Sequence, residues 1–328
     1  MLTDSFQRKI NYLRLSVTDL CNIRCLYCMP KEGVARFPHD EILSFEEIER
    51  MVGILAGLGV KKVRLTGGEP LVRRGIVQLV NRIRNVRGVE EVLLTTNGIP
   101  LKTLAAPLRD AGLEKINIHL DTLSANTFRR ISRGAEIANV LEGIREARRV
   151  GFDPIKMNVV IQKGINDHEA EELVRFASRE GLILRFIELM PIGPGREMMR
   201  EHFIPAEEIR QRLEKSFTLY PSLMKLGSGP AKYFEVGGLG TKIGFISPVS
   251  QPFCDRCNRI RISSDGRFQD CLAFDGQFSF RDLLRDPSMT DVRIAEEVRR
   301  VMMGKRESHE GFMQEEGIRT PCMKAIGG

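Results

Sequence analysis

Six short runs of alternating apolar and polar residues, separated by longer segments with helical periodicity, constrain this chain more than any other feature. The runs are Tyr12–Val17, Lys61–Thr66, Glu90–Thr95, Lys115–Leu120, Ile155–Ile161 and Ile183–Leu189. Each reads as a strand. Between the first two, Phe45 to Leu58 places Ile48, Met51, Val52 and Leu55 at helical spacing, and Thr127–Val150 and Asp167–Arg179 read as further helices. Strand, helix, strand at this cadence calls for a parallel sheet with right-handed crossovers. A doubly wound open sheet and an incomplete barrel, with six of the eight units of a complete one, both satisfy it.

The strand faces separate the two. Leu13, Leu15 and Val17 oppose Arg14 and Ser16; Val63 and Leu65 oppose Lys62, Arg64 and Thr66. Ile116, Ile118 and Leu120 oppose Asn117 and His119, and Met157, Val159 and Ile161 oppose Lys156 and Asn158. A sheet covered by helices on both sides is apolar on both. One polar, mostly basic face is what strands lining a wide cavity present, so the reading is an α/β fold with an incomplete (β/α)6 TIM-like barrel. After about Leu219 the texture turns Gly-rich and β-like, and Arg281 to Arg306 reads as charged helix. The expected division is a partial barrel over 1–218 and a smaller α+β domain over 219–328 that closes the barrel mouth.

Composition narrows the function classes. The longest apolar stretch, Met51 to Val60, is about half of a membrane span. The N-terminus MLTDSFQRKI has no apolar signal core, so the expected location is the cytoplasm with no membrane partner. A formal charge of +7 favours an anionic partner. With no Trp and only four Tyr, a base-stacking platform for nucleic acid is not expected. Seven cysteines without an export signal make a poor disulfide framework. Six of them fall in two triplets, which points to metal, and Cys322 reads as an unligated thiol.

The first triplet, Cys21, Cys25 and Cys28, has C-x3-C-x2-C spacing directly after the first strand. Thiolates are the usual ligands of iron–sulfur clusters, and three for a cubane leave one iron open. Zinc loops instead pair their ligands as two C-x2–4-C units. The second triplet, Cys254, Cys257 and Cys271, spaced C-x2-C-x13-C, fits three-quarters of a zinc ribbon or a second cluster with one open iron.

The first triplet together with Gly67-Gly68-Glu69-Pro70 after the second strand resembles the radical S-adenosylmethionine (SAM) superfamily. Over nearly the whole chain the resemblance is to the GTP 3′,8-cyclase family that opens molybdenum-cofactor biosynthesis. It rests on Leu13-Arg14-Leu15-Ser16-Val17-Thr18-Asp19, Lys62 to Pro70, Thr95-Thr96-Asn97-Gly98, Lys156 to Val160, Arg185-Phe186-Ile187-Glu188, Cys254 to Arg261, Cys271 and the terminal Gly327-Gly328.

The resemblance implies two [4Fe-4S] clusters, each on three cysteines, with SAM chelated to the open iron of the first. It implies that Tyr27, Gly68, His119 and Met190 contact SAM, and that Arg14, Arg64, Thr95, Lys156, Arg259, Ile260 and Arg261 contact GTP, assisted by Lys62 and Arg185. Guanine would ligate the open iron of the second cluster. A 5′-deoxyadenosyl radical would take hydrogen from ribose C3′, and attack on C8 would give (8S)-3′,8-cyclo-7,8-dihydroguanosine 5′-triphosphate. It further implies a homodimer, a flavodoxin-type electron donor, cyclic pyranopterin monophosphate synthase as product acceptor, and a Gly327-Gly328 tail that reaches the active site.

The basic residues read alone agree, since Arg forks suit bidentate phosphate contacts and Lys adds point charge. One departure is His119-Leu120-Asp121, where the family usually has Ser-Leu-Asp. Two alternatives remain: a radical SAM peptide maturase with an auxiliary cluster, and a zinc-stabilised nucleic-acid-binding protein.

Overall fold

A computed structural model describes residues 1–224, 226–274 and 278–309. Six strands follow the expected cadence: β1 (Tyr12–Ser16), β2 (Lys62–Thr66), β3 (Glu91–Thr96), β4 (Lys115–His119), β5 (Lys156–Ile161) and β6 (Ile183–Glu188). Helices α1 (Phe45–Gly57), α2 (Ile76–Arg84), α3 (Leu101–Asp110), α4 (Ala125–Ser132), α5 (Ile137–Arg149) and α6 (Ala170–Arg179) form the crossovers. Local chemistry sets their ends. Ser44 and Glu47 form a reciprocal capping box that starts α1, whose Ile48, Met51, Val52 and Leu55 are buried.

The expected Thr127–Val150 helix is two helices. Arg133 takes a left-handed conformation (φ 57°) and Gly134 follows at φ 115°, which ends α4 before α5 begins. Beyond β6 come α7 (Pro194–His202), α8 (Ala206–Leu213), β7 (Leu219–Pro221), β8 (Lys232–Val236), β9 (Lys242–Ile246), β10 (Arg259–Ile262), β11 (Arg267–Gln269), β12 (Phe278–Ser279), α9 (Phe280–Arg285) and α10 (Asp291–Met303). The single charged helix expected over Arg281–Arg306 is likewise α9 and α10. Pro287 lies in the break and Thr290 caps the restart.

The sheet has twelve strands in the order β12-β11-β10-β1-β2-β3-β4-β5-β6-β9-β8-β7. The C-terminal part extends the partial barrel at both edges: β10 pairs parallel with β1, and β9 parallel with β6. The apolar strand faces carry the core. Leu13, Leu15, Val63, Leu65, Ile116, Ile118, Met157, Val159 and Phe186 are fully buried against the helices. The opposite faces line a cavity of about 580 Å³, within the usual size of ligand sites. No described helix is long and apolar enough to cross a membrane.

Candidate active site

Both cysteine triplets line this cavity. The Cys21–Cys28 loop leaves β1 and is fastened from outside by α4. Leu26 N donates to Ile131 O at 2.9 Å, Arg24 N to Ser132 O at 3.1 Å, and Arg133 Nη1 to Met29 O at 2.6 Å. From the other side the Gly67–Pro70 turn closes on it. Gly68 N donates to Thr18 O at 2.9 Å and Glu69 N to Leu20 O at 2.7 Å. A Cβ on Gly68 would lie 2.2 Å from Leu20 O, and one on Gly67 2.6 Å from Thr18 O. The paired glycines are therefore required by close backbone approach.

Glu69 itself turns inward. Its carboxylate accepts from Thr96 Oγ1 (2.7 Å), Asn97 N (2.7 Å) and Leu71 N (3.1 Å), bracing the turn against the end of β3. Burial pushes its pKa up to about 7 against those hydrogen bonds.

Tyr27, His119 and Asp121 meet beside this loop. Tyr27 OH donates to Asp121 Oδ2 at 2.8 Å and lies 2.8 Å from His119 Nε2, which is 3.1 Å from Asp121 Oδ1. Burial disfavours the charged imidazole, but Asp121 outweighs it and raises the His119 pKa. Burial, reinforced by Asp121, pushes the Cys25 thiol well above its usual range. Met190 and Gly68 line the same end of the cavity.

The second triplet sits at the entry to β10. Arg8, buried with its ion-pair partner Asp4 at 2.6 Å, donates to Cys254 O at 2.7 Å. His309 Nδ1 lies 2.9 Å from Cys254 Sγ while Nε2 faces Pro248 O at 2.8 Å. Buried Lys305 donates to Asp270 O, one residue before Cys271. Burial raises the Cys271 thiol. Burial also pushes Cys257 up, but Lys305 and Arg259 overcome it and hold that thiol below its ordinary value.

Between the triplets, the strand register gathers the basic residues. Arg261, Arg14 and Arg64 face one another on adjacent strands β10, β1 and β2. Arg64 donates to Tyr12 OH, to Leu94 O at 2.8 Å and to Thr95 Oγ1 at 3.4 Å. Burial, then Arg261, depresses Arg14 well below the usual guanidinium range, and burial, then Arg259, brings Arg261 to about 10. Across the barrel, Arg185 pairs in register with Asn158, and its Nε donates to Asn158 Oδ1 at 2.8 Å. Lys156 donates to Leu226 O beneath the 226–230 loop. Burial, then Arg185 and Arg64, lowers its pKa to about 7. Like charges held opposite one another in a sheet are destabilising, and burial adds to that here.

Nearly every expected site residue within the described chain lines the cavity. Lys62 does so while paired to Glu91 at 2.5 Å, which also takes Lys115 at 2.6 Å. Ile260 does not. It alternates with Arg259 and Arg261 on β10 and is fully buried in the core, in register with Leu13, so its side chain is turned away from any substrate. Cys322, Gly327 and Gly328 lie outside the described residues. Sequence reasoning missed Tyr12, Glu69's carboxylate, Asp121, Lys305 and His309. Asp121 was visible two residues after His119, and Glu69 stands in the Gly67–Pro70 motif although nothing there told of its inward carboxylate; the others gave no local signal.

The donor sets fit clusters by their chemistry, since each triplet offers thiols alone. Among the described residues no three His, Cys, Asp or Glu side chains gather tightly enough for a single metal ion. A cubane carries its thiolates on separate irons.

Residues 15–177 match the Radical SAM superfamily and residues 182–311 match Molybdenum Cofactor Synthesis C. The chain is 45% identical over 329 residues to the GTP 3′,8-cyclase of Moorella thermoacetica, covering 100% of both. It is 41% identical over 327 residues to that of Alkaliphilus metalliredigens, again covering 100% of both. Among solved structures, Streptococcus suis SuiB bound to S-adenosylmethionine superposes with a TM-score of 0.61 at 16% identity, covering 87% of this chain and 68% of that one, a likeness of fold. With two matched domains on an incomplete parallel barrel and relatives aligned end to end, the chain belongs to the GTP 3′,8-cyclase family of the radical SAM superfamily.

Proposed function

We propose that this chain is a radical SAM lyase that converts GTP to (8S)-3′,8-cyclo-7,8-dihydroguanosine 5′-triphosphate, the first step of molybdenum-cofactor biosynthesis. The observation that carries the reading is the in-register row Arg261–Arg14–Arg64 between the two triplets. A triphosphate with up to four negative charges neutralises such a row, and forked guanidiniums give it directional contacts. SAM, with an ammonium, a sulfonium and one carboxylate, is a net cation. It suits the other end, where Glu69 and Asp121 supply the negative groups.

In this reading Cys21, Cys25 and Cys28 hold one [4Fe-4S] cluster, and Cys254, Cys257 and Cys271 hold a second. When bound, the first supplies the electron for reductive cleavage of SAM. The chain's own residues place the reactants. Gly68, Tyr27, His119 and Met190 seat SAM over the first triplet. Arg14, Arg64, Thr95, Lys156, Arg259 and Arg261 hold the triphosphate and turn the ribose toward it, with Lys62 and Arg185 flanking. The 226–230 loop and the described residues from 219 onward, taken as a second domain, cover the barrel and exclude water from a reactive radical.

Reconstituted protein incubated anaerobically with SAM, dithionite and either GTP or ATP tests this. GTP-dependent 5′-deoxyadenosine with a nucleotide of unchanged mass and new chromatographic position is expected. SAM cleavage indifferent to GTP rejects the substrate, and absence of cleavage from protein holding both clusters rejects the chemistry.

A further inference from the structure

Outside the barrel, against the Cys21–Cys28 loop, lies a second, open groove of about 460 Å³. Leu26, Pro194 and Met198 give it an apolar floor; Arg130, Arg133 and His202 stand around it, with one carboxylate, Glu197. The wall between groove and active-site cavity is one residue thick at two places. Leu26 faces the groove while its neighbours Cys25 and Tyr27 line the cavity, and Arg130 faces the groove while Ile131 lines the cavity. Arg130 is exposed, and its side chain makes no hydrogen bond or ion pair among the described residues. Lys163, exposed beside groove-lining Gly164, adds charge there.

We infer that this groove is the docking face for a small acidic electron-transfer protein of the flavodoxin type. The inference rests on the cyclase reading, because only reductive SAM cleavage requires an outside electron. A carrier protein cannot enter the cavity, so the electron has to cross the barrel wall, and beside Cys25 that wall is one residue thick. One electron leaves the partner's reduced flavin and one is gained by the cluster on the first triplet; no atom is transferred. Redox encounters use small interfaces steered by opposite charge. An apolar floor beneath two arginines, a histidine and a lysine, on a chain of net charge +7, complements an acidic carrier.

The test uses the reconstituted enzyme and flavodoxin with its NADPH-dependent reductase. Two quantities are read at low salt: the Kd for oxidised flavodoxin by calorimetry, and 5′-deoxyadenosine formation driven by flavodoxin or by dithionite. Arg130→Glu is expected to raise Kd about tenfold, the scale of one lost interfacial charge contact, and Arg130→Glu/Lys163→Glu to raise it further. Flavodoxin-driven turnover should fall in step while dithionite-driven turnover stays at the wild-type rate. Arg87→Glu, the same charge change on the loop entering β3, should alter neither. Unchanged Kd in the double variant, or an equal effect from Arg87→Glu, overturns the docking face. Failure of the wild type with dithionite falls on the cyclase reading instead, and the calorimetric comparison still decides the groove.

Discussion

Around Cys25 the charged neighbour is the Asp121 carboxylate, and burial together with it holds the thiol above its usual range. Around Cys257, Lys305 and Arg259 overcome burial and hold the thiol below it. Two sites with the same number and kind of donors thus differ in the charge set against them, a carboxylate at Cys25 and cations at Cys257. A ligand count alone does not say what a metal site is for; the surrounding charge does. In the proposed reading one end of the cavity suits a cation and the other a polyanion, so SAM and GTP are sorted to opposite ends before any specific contact forms.

The comparison breaks first at the cysteines. Cys25→Ala should reduce SAM cleavage to background with or without GTP, measured as 5′-deoxyadenosine. Cys271→Ala should lose the cyclised nucleotide and the GTP-dependent rise in 5′-deoxyadenosine while keeping the slow GTP-independent cleavage that Cys25→Ala lacks. Equal loss of GTP-independent cleavage from both variants means the two ends do not divide the work.

The arginine row is next. Arg14→Gln should weaken GTP binding roughly 10–100-fold, as expected for about 1.5–3 kcal/mol in a hydrogen bond to a charged group. The same change relieves repulsion from Arg261 in the empty protein. Its melting temperature without GTP should therefore rise by about 2 °C, the scale of ~1 kcal/mol in a chain of this size. Excess GTP should reverse the order and leave the wild type the more stable. A variant less stable than wild type in both conditions indicates that the row is a structural element and not a binding one.

Each end also has its own carboxylate strut. Glu69 braces the loop beside the first triplet. Glu188 accepts from Ala206 N (3.0 Å), Val249 N (3.0 Å), Ser250 N (2.9 Å) and Ser250 Oγ, tying β6 and α8 to the segment that leads to Cys254. Glu188→Ala strands the buried Ala206 N–H and three part-buried donors, at a cost of about 2 kcal/mol. It should lower iron at the second triplet more than at the first, and Glu69→Ala should do the reverse; iron content and cluster spectra separate them.

These struts mark where sequence reading stops. The strand faces were legible because alternation is local: Leu13 and Leu15 against Arg14 needs no partner to be seen. That β9 and β10 would add to the two open edges of the six-stranded sheet was not, since pairing across 59 and 247 residues leaves no periodic trace. A helix end set by left-handed Arg133 gives a weak signal, though the following Gly134 was there to be used. Ile260 was assigned with its neighbours, but period-2 geometry already turned it to the other face. Glu69 and Glu188 bind mostly backbone N–H groups 28 and 62 residues away, and a backbone donor has no side chain to read.

Lys156 offers the smallest effect and the sharpest test of the two fields. Its ordinary pKa of 10.5 falls to about 7 through burial, then Arg185 and Arg64. Between pH 7 and 10.5 the unfolded chain binds the proton that the folded chain has lost. This group's contribution to stability therefore rises with pH across that window and is most unfavourable below it. A triphosphate beside the amine raises its pKa again, so GTP binding near pH 8 should take up a fraction of a proton, read by calorimetry in buffers of different ionisation enthalpy. Lys156→Met should abolish that uptake, because guanidiniums stay protonated there. At the other end the sign inverts. Glu69, pushed to about 7, should lose its proton when cationic SAM arrives, so SAM binding near pH 7 should release protons, and Glu69→Gln should reduce the release to what the SAM amino group itself gives up. Proton uptake with both ligands, or with neither, would mean that the opposed charges seen around the cysteines do not extend to the ligands that bind between them.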